Sequence, residues 1–264
     1  MEHHFAQRID NFFIRTFGLP YLRLVRDPLI HERSEYLVSC IKKMNREGLR
    51  VLDVGCGSAI PLLYLNEFCR REVTEYVGID LYSERLRERY QSVHLRHQFS
   101  NVNLDDEWDV GKFDVVCCFE VIEHIIKDGR LFRLLCSQIN DNGYLLVTTP
   151  SKEFILKMAN NFPGFDQVSE VQNGGHVRIG YNRADLQILA DQNNMRVVSC
   201  DWISRFDVSD LHAYLRSKGA IGIVLYNFTH PRREQEIKFS LSREPEALQD
   251  TYYSIACALE KQKG

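Results

Sequence analysis

The chain has no marked excess of either charge: 33 Lys and Arg against 36 Asp and Glu leave a formal net charge of −3. That balance offers no global positive field to a phosphate backbone, so nucleic acid is a disfavoured partner. There is no run of about 18 consecutive apolar residues, which argues against a membrane-spanning helix. The first residues lack the charged-then-apolar plan of a secretory leader, since His3, His4, Arg8 and Asp10 precede any long apolar run, and a cytoplasmic location is expected. No two of the eight cysteines (Cys40, Cys56, Cys69, Cys117, Cys118, Cys136, Cys200 and Cys257) form a C-x-x-C pair. Several lie in apolar runs, and all are expected to be reduced, buried thiols. Internal repeats and low-complexity tracts are also missing. At 44% hydrophobic and 26% charged residues, the composition is that of a chain able to bury its own core.

What is present is alternation. Between residues 50 and 150, short β-branched runs alternate with amphipathic helical runs, the order expected of parallel strands joined by crossover helices. Strands are expected at Arg50 to Val54, Tyr76 to Ile79, His97 to Val102, Phe113 to Phe119, Tyr144 to Thr149, Met195 to Ile203 and Thr251 to Leu259. Helix faces are marked by Leu62, Leu63, Leu65 and Phe68, and by Leu131, Leu134 and Leu135. Further helices are expected at Glu84 to Tyr90, capped by Ser83, and at Arg183 to Gln192. Phe5 to Phe17 and Ile30 to Met44 form N-terminal helices, the first read as a lid or packing face. The whole is expected to be an α/β Rossmann-like, doubly wound, seven-stranded sheet within a single domain of residues 1–264. It divides into an N-terminal helical lid (1–47), a cofactor-binding core (48–206), an acceptor-shaping insertion (207–249) and the final strand (250–264).

The motif with most chemistry is Val51-Leu52-Asp53-Val54-Gly55-Cys56-Gly57-Ser58-Ala59, a strand entering a glycine turn and then a helix. Glycines there let the backbone approach a ligand. Asp80 closes the next strand, a little over 20 residues on, where a carboxylate can accept both ribose hydroxyls of an adenosine cofactor. The dinucleotide fingerprint is incomplete, because no third glycine follows Gly57, so a pyrophosphate is not the expected ligand. Asp53 would repel a phosphate, but it suits the cationic amino and sulfonium end of S-adenosylmethionine, directly or through water. Glu120, Glu123 and His124 follow the buried run Phe113 to Phe119 and so fall at the carboxyl edge of the sheet, where open α/β folds bind ligands.

With VLDVGCGSA (51–59), YVGIDLY (76–82), NLDDEW (103–108), KFDVVCCFEVIEHI (112–125) and GYLLVTTPS (143–151), the chain resembles the class I S-adenosylmethionine-dependent methyltransferases over roughly residues 48–204. It is most similar to the branch with E-V-x-E-H after the fourth strand, which includes ubiquinone-biosynthesis O-methyltransferases, many sugar and natural-product methyltransferases and small-RNA 3′-end methyltransferases. The resemblance implies seven strands with the last antiparallel, and S-adenosylmethionine as cofactor. It further implies that Gly55 and Gly57 approach the cofactor, Asp80 with neighbouring Leu81 holds the ribose, Asn103 and Leu104 border the adenine, and Glu120 lies beside the methionine end. The family often has Asp where this chain has Asn103; Asn still offers hydrogen bonds there, and Asp105 is the alternative for the role. His176 is implied to reach the same edge as His124.

For O-methylation the acceptor hydroxyl loses a proton, and His124 or His176 is a suitable general base, with Glu120 the third residue of the catalytic set. His124 has a plainer reading as a packing residue bound to a backbone carbonyl. Glu120, Glu123, His124 and His176 together match the ligand types of the divalent-metal site of the small-RNA methyltransferase branch; no metal is assigned, since relatives carry the same letters without one. The expected function is methyl transfer to a small hydroxylated metabolite, sugar or natural-product intermediate. The alternatives are a metal-assisted RNA 2′-O-methyltransferase and a non-catalytic cofactor-binding regulator. Acceptor and oligomeric state are left open.

Overall fold

The structure, a computed structural model, describes Thr16, Tyr21 and residues 28–169, 175–205 and 252–262. The expected aromatic helix at 5–17, apart from Thr16, and the insertion at 207–249 lie outside the described residues. Helix α1 (Pro28–Met44) leads into β1 (Leu49–Val54), α2 (Ile60–Phe68), β2 (Val73–Asp80), β3 (Arg96–Asn101) and β4 (Phe113–Phe119). There follow α3 (Asp128–Ser137), β5 (Ile139–Pro150), α4 (Lys152–Ala159), α5 (Arg183–Asp191), β6 (Met195–Arg205) and β7 (Tyr252–Lys261).

The strands form one seven-stranded sheet in the order β3-β2-β1-β4-β5-β7-β6. β1 is parallel to β2 and β4, whereas β7 runs antiparallel to both β5 and β6. Strand alternation sorts the core into two layers. Val51, Tyr76, Val115 and Cys117 pack beneath α1 and α2; Leu52, Val77, Val116 and Cys118 pack on the other face against Leu131, Phe132 and Leu135 of α3. A large-to-small change at a fully buried ring such as Phe99 or Phe132 costs about 3–5 kcal/mol.

Side-chain caps set the starts of α4 and α5. Asn182 caps α5 with a complete box: its side chain accepts from Asp185 N at 2.9 Å, and Asp185 Oδ2 accepts from Asn182 N at 3.1 Å. Two expectations need correction, at Ser83 and at the cysteines. Ser83 caps no helix to Tyr90, because its buried hydroxyl donates to Ser100 O of β3 at 2.5 Å, and only a 3-10 turn forms at Ser83–Leu86. Residues after Pro150 hold a short helix, α4, which Ser151 starts by accepting from Phe154 N. Not every cysteine is a free thiol: Cys200 and Cys257 stand directly opposite in the β6–β7 register, with Cα atoms 4.2 Å apart, and are joined as a disulfide. The other six are free and buried. Among the described residues no helix is long and apolar enough to cross a membrane.

Candidate active site

The order of the sheet reverses between β1 and β4, and the carboxyl ends of β1, β2 and β4 open a crevice there. Gly55 and Gly57 have φ of 72° and 51°, in the left-handed region that favours glycine. The two are required for different reasons. A Cβ at Gly55 would fall 2.3 Å from Val121 Cγ2, so the exit of β4 demands glycine there. A Cβ at Gly57 would have only Gly55 O within 4.0 Å, so this glycine faces open space in which a ligand can lie on the turn. Gly55 N and Cys56 N both donate to Ile79 O, and Gly57 N donates to Asp80 Oδ2 at 3.0 Å. The turn and the carboxylate closing β2 are therefore built together. Leu81 beside it is exposed and Leu104 is buried. Asn103 Oδ1 accepts from Asp105 N at 3.2 Å, so this side chain shapes its own turn.

Asp53, near the end of β1, is buried. It shares the face of Leu49 and Val51, is 2% exposed, and accepts from the Tyr76 hydroxyl at 2.5 Å, with Cys117 Sγ at 3.7 Å. Burial raises its pKa to about 6 against the lowering effect of those two bonds.

Glu120 stands at the end of β4 with φ of 54°, a strained conformation for a non-glycine residue. Its carboxylate is bound on both sides: Arg33 Nη2 of α1 approaches Oε2 at 3.1 Å, and Ser254 Oγ of β7 donates to Oε1 at 3.0 Å. The carboxylate is thereby an anchor for α1. Neither Arg33 nor Ser254 carries a motif, and the sequence reading missed both.

His124 closes the 3-10 turn Ile122–His124. Its Nδ1 lies 3.0 Å from Gly175 O; a carbonyl only accepts, so Nδ1 carries the proton and the Nε2 lone pair is left to act as a base. His176 packs edge-on to it with ring centroids 4.8 Å apart. Burial, then the charge of His124, lowers the His176 pKa to about 4, so this imidazole is neutral throughout the physiological range. Glu123 is fully buried; Thr149 Oγ1 donates to its Oε2 at 3.1 Å, while Oε1 has no hydrogen-bond partner and lies 3.8 Å from His124 Nε2. Burial, then the nearby Glu120, raises the Glu123 pKa. One ligand atom each of Glu123, His124 and His176 falls within 4.8 Å of the others. Of the expected edge residues, the structure thus brings these three together and sets Glu120 apart.

A seven-stranded sheet with antiparallel β7, a glycine turn bonded to an acidic β2 terminus and an E-x-x-E-H segment at the switch point define a Rossmann-like methyltransferase fold. Residues 26–220 match the methyltransferase-domain family, and the chain belongs to it. Among similar proteins, the ubiquinone biosynthesis O-methyltransferase of Glaesserella parasuis is 27% identical over 149 residues, 47% of this chain and 61% of that protein. The mitochondrial ubiquinone biosynthesis O-methyltransferase of Candida albicans is 26% identical over 194 residues, 70% of this chain and 54% of that protein. The chain thus spans less than two thirds of these relatives' length. The fold is that of magnesium protoporphyrin IX methyltransferase from Synechocystis PCC 6803, at TM-score 0.58 and 15% identity over 97% of this chain and all of the other. It is also that of the N-methyltransferase NodS from Bradyrhizobium japonicum, at TM-score 0.54 and 10% identity over 91% of each. Both were solved with S-adenosylhomocysteine bound.

Proposed function

We propose that the chain transfers a methyl group from S-adenosylmethionine to the oxygen of a small hydroxylated acceptor, as a cytoplasmic enzyme. The observation that supports this reading best is the Gly57–Asp80 unit: an open glycine backbone beside a carboxylate at the end of β2 fits an adenosine ribose, while the missing third glycine argues against a pyrophosphate. S-adenosylmethionine supplies a methyl carbon already activated by its sulfonium. Gly55, Gly57, Asp80, Leu81, Asn103, Leu104 and Asp105 line the nucleoside side. Glu120 and Arg33, on the neighbouring strand end, serve the methionine side, and the enclosed charge of Asp53 favours a cation above it. His124 Nε2, or His176, takes the acceptor proton as the oxygen attacks, and the fold's main contribution is alignment. The named activity of the ubiquinone-biosynthesis relatives agrees with oxygen as the methylated atom.

A second reading, metal-assisted transfer, is favoured by one observation: the buried, partnerless Glu123 Oε1 faces two imidazoles. Two nitrogens and one carboxylate suit a transition-series divalent cation better than magnesium. With the acidic charge balance against RNA, this reading too takes a small hydroxylated acceptor.

Calorimetric titration with S-adenosylmethionine and S-adenosylhomocysteine, comparing the native chain with Asp80→Ala, tests the cofactor assignment. Binding lost in the variant supports it; no binding by folded native protein overturns it. Methyl transfer to simple phenols, catechols and sugars, with and without a chelator, then separates the two readings.

A further inference from the structure

The segment bearing His176 is stitched to the segment bearing His124 by contacts that use only the Nδ1 side of the His124 ring. Val177 N donates to Glu123 O at 2.9 Å, and Gly175 O receives His124 Nδ1–H. Arg178 then spreads over the end of the turn after β4. Its Nη2 donates to Ile125 O at 2.9 Å and Ile126 O at 3.1 Å, and its Nη1 pairs with Asp128 Oδ2 at 2.8 Å. The Tyr181 hydroxyl donates to the same Asp128 oxygen at 2.9 Å, and the guanidinium lies 5.6 Å from the Tyr181 ring centre. A planar, permanently charged fork can satisfy two carbonyls and a carboxylate at once in a fixed geometry.

We propose that Arg178 is the positioning residue of this site: by clasping Ile125, Ile126 and Asp128 it holds the Gly175 carbonyl against His124 Nδ1, and so fixes the tautomer that directs the His124 Nε2 lone pair toward the acceptor. The inference rests on the reading of His124 as the base. Gly175 is three residues upstream of Arg178, and His176 lies between them, so one guanidinium sets both the tautomer of the first histidine and the seat of the second. Without it the ring is free to flip, and the nitrogen facing the acceptor becomes a donor.

Nitrogen-15 NMR of the imidazoles, which needs no acceptor, tests this on the native chain, Arg178→Ala and the milder Asp128→Asn. The native chain is expected to show His124 as the Nδ1–H tautomer. Arg178→Ala, and more weakly Asp128→Asn, should lose it, and free guanidinium ion should restore it in Arg178→Ala. Affinity for S-adenosylmethionine should stay within about twofold, because the Gly57–Asp80 unit is untouched. A His124 that keeps the Nδ1–H tautomer in folded Arg178→Ala overturns the proposal; should that variant not fold, the same result in Asp128→Asn does so. Failure of the functional reading looks different: the tautomer follows Arg178, yet His124→Asn transfers methyl groups as well as the native chain.

Discussion

Gly57 N donates to Asp80 Oδ2 at 3.0 Å across the gap between β1 and β2, so the carboxylate is oriented by the backbone it serves. Replacing Asp80 removes the hydrogen bonds expected to the ribose and leaves this N–H without its partner. Asp80→Ala should weaken S-adenosylmethionine binding by about 10- to 100-fold, the equivalent of roughly 1.5–3 kcal/mol, while the fold persists. Asp80→Asn should fall between the two. Calorimetry and circular dichroism on the same samples check both halves; unchanged affinity in the alanine variant removes Asp80 from the site.

The Arg33–Glu120 pair ties α1 to the end of β4, with side chains 14% and 12% exposed. Glu120→Gln keeps an acceptor for Ser254 but leaves a largely buried guanidinium without its counter-charge. It should destabilise the chain by about 1–3 kcal/mol in denaturant melts. Adding Arg33→Met should recover most of that loss, because an apolar replacement of both partners is often close to neutral. Strict additivity of the two changes would show that the pair is not coupled.

Asp53 gives stability a pH dependence of defined sign. In the folded chain its carboxyl holds a proton up to about pH 6, whereas an unfolded aspartate releases it at about pH 4. Between those values the folded state binds more protons, so the favourable contribution present below about pH 4 is lost as pH rises to 6, by roughly 3 kcal/mol. Asp53→Asn can still accept from Tyr76 and should flatten this dependence, gaining stability at neutral pH and losing affinity for a sulfonium cation. Urea melts between pH 4 and 8 check the slope; parallel curves for both proteins refute the assignment.

His176 works in the opposite direction. Its folded pKa is lowered to about 4 from an ordinary value near 6.5, so the folded state binds fewer protons in that window and stability rises with pH across it. If His176 takes the acceptor proton, the acid limb of the rate profile lies near pH 4. His124→Asn should move the His176 titration upward, since the charge of His124 is the second cause of the shift after burial. Imidazole proton shifts followed through a pH titration read this directly.

Most of the fold was legible because its signals are local. The near-continuous apolar run of β4 and the glycine turn each announce an element within a few residues. The face of Asp53 was legible too, by parity with Leu49 and Val51. What stayed hidden depends on contacts distant in sequence: Arg33 meets Glu120 from 87 positions away (120 − 33), and Ser254 reaches it from 134. Ser83 shows the same limit, since its hydroxyl bonds a carbonyl of β3 instead of capping the expected helix. The pairing of Cys200 with Cys257 needed the β6–β7 register, which no spacing rule supplies.

That register also governs how the chain can vary. Arg205 and Tyr252 pair directly, so the segment between them leaves and re-enters the sheet at neighbouring points. Once the two ends are fixed side by side, each doubling of the length between them costs only about 0.6 kcal/mol. The sheet is therefore nearly indifferent to what is spliced in there. Changes of length between Arg205 and Tyr252 therefore leave the β6–β7 register, and the strand ends that carry the glycine turn and Asp80, where they are.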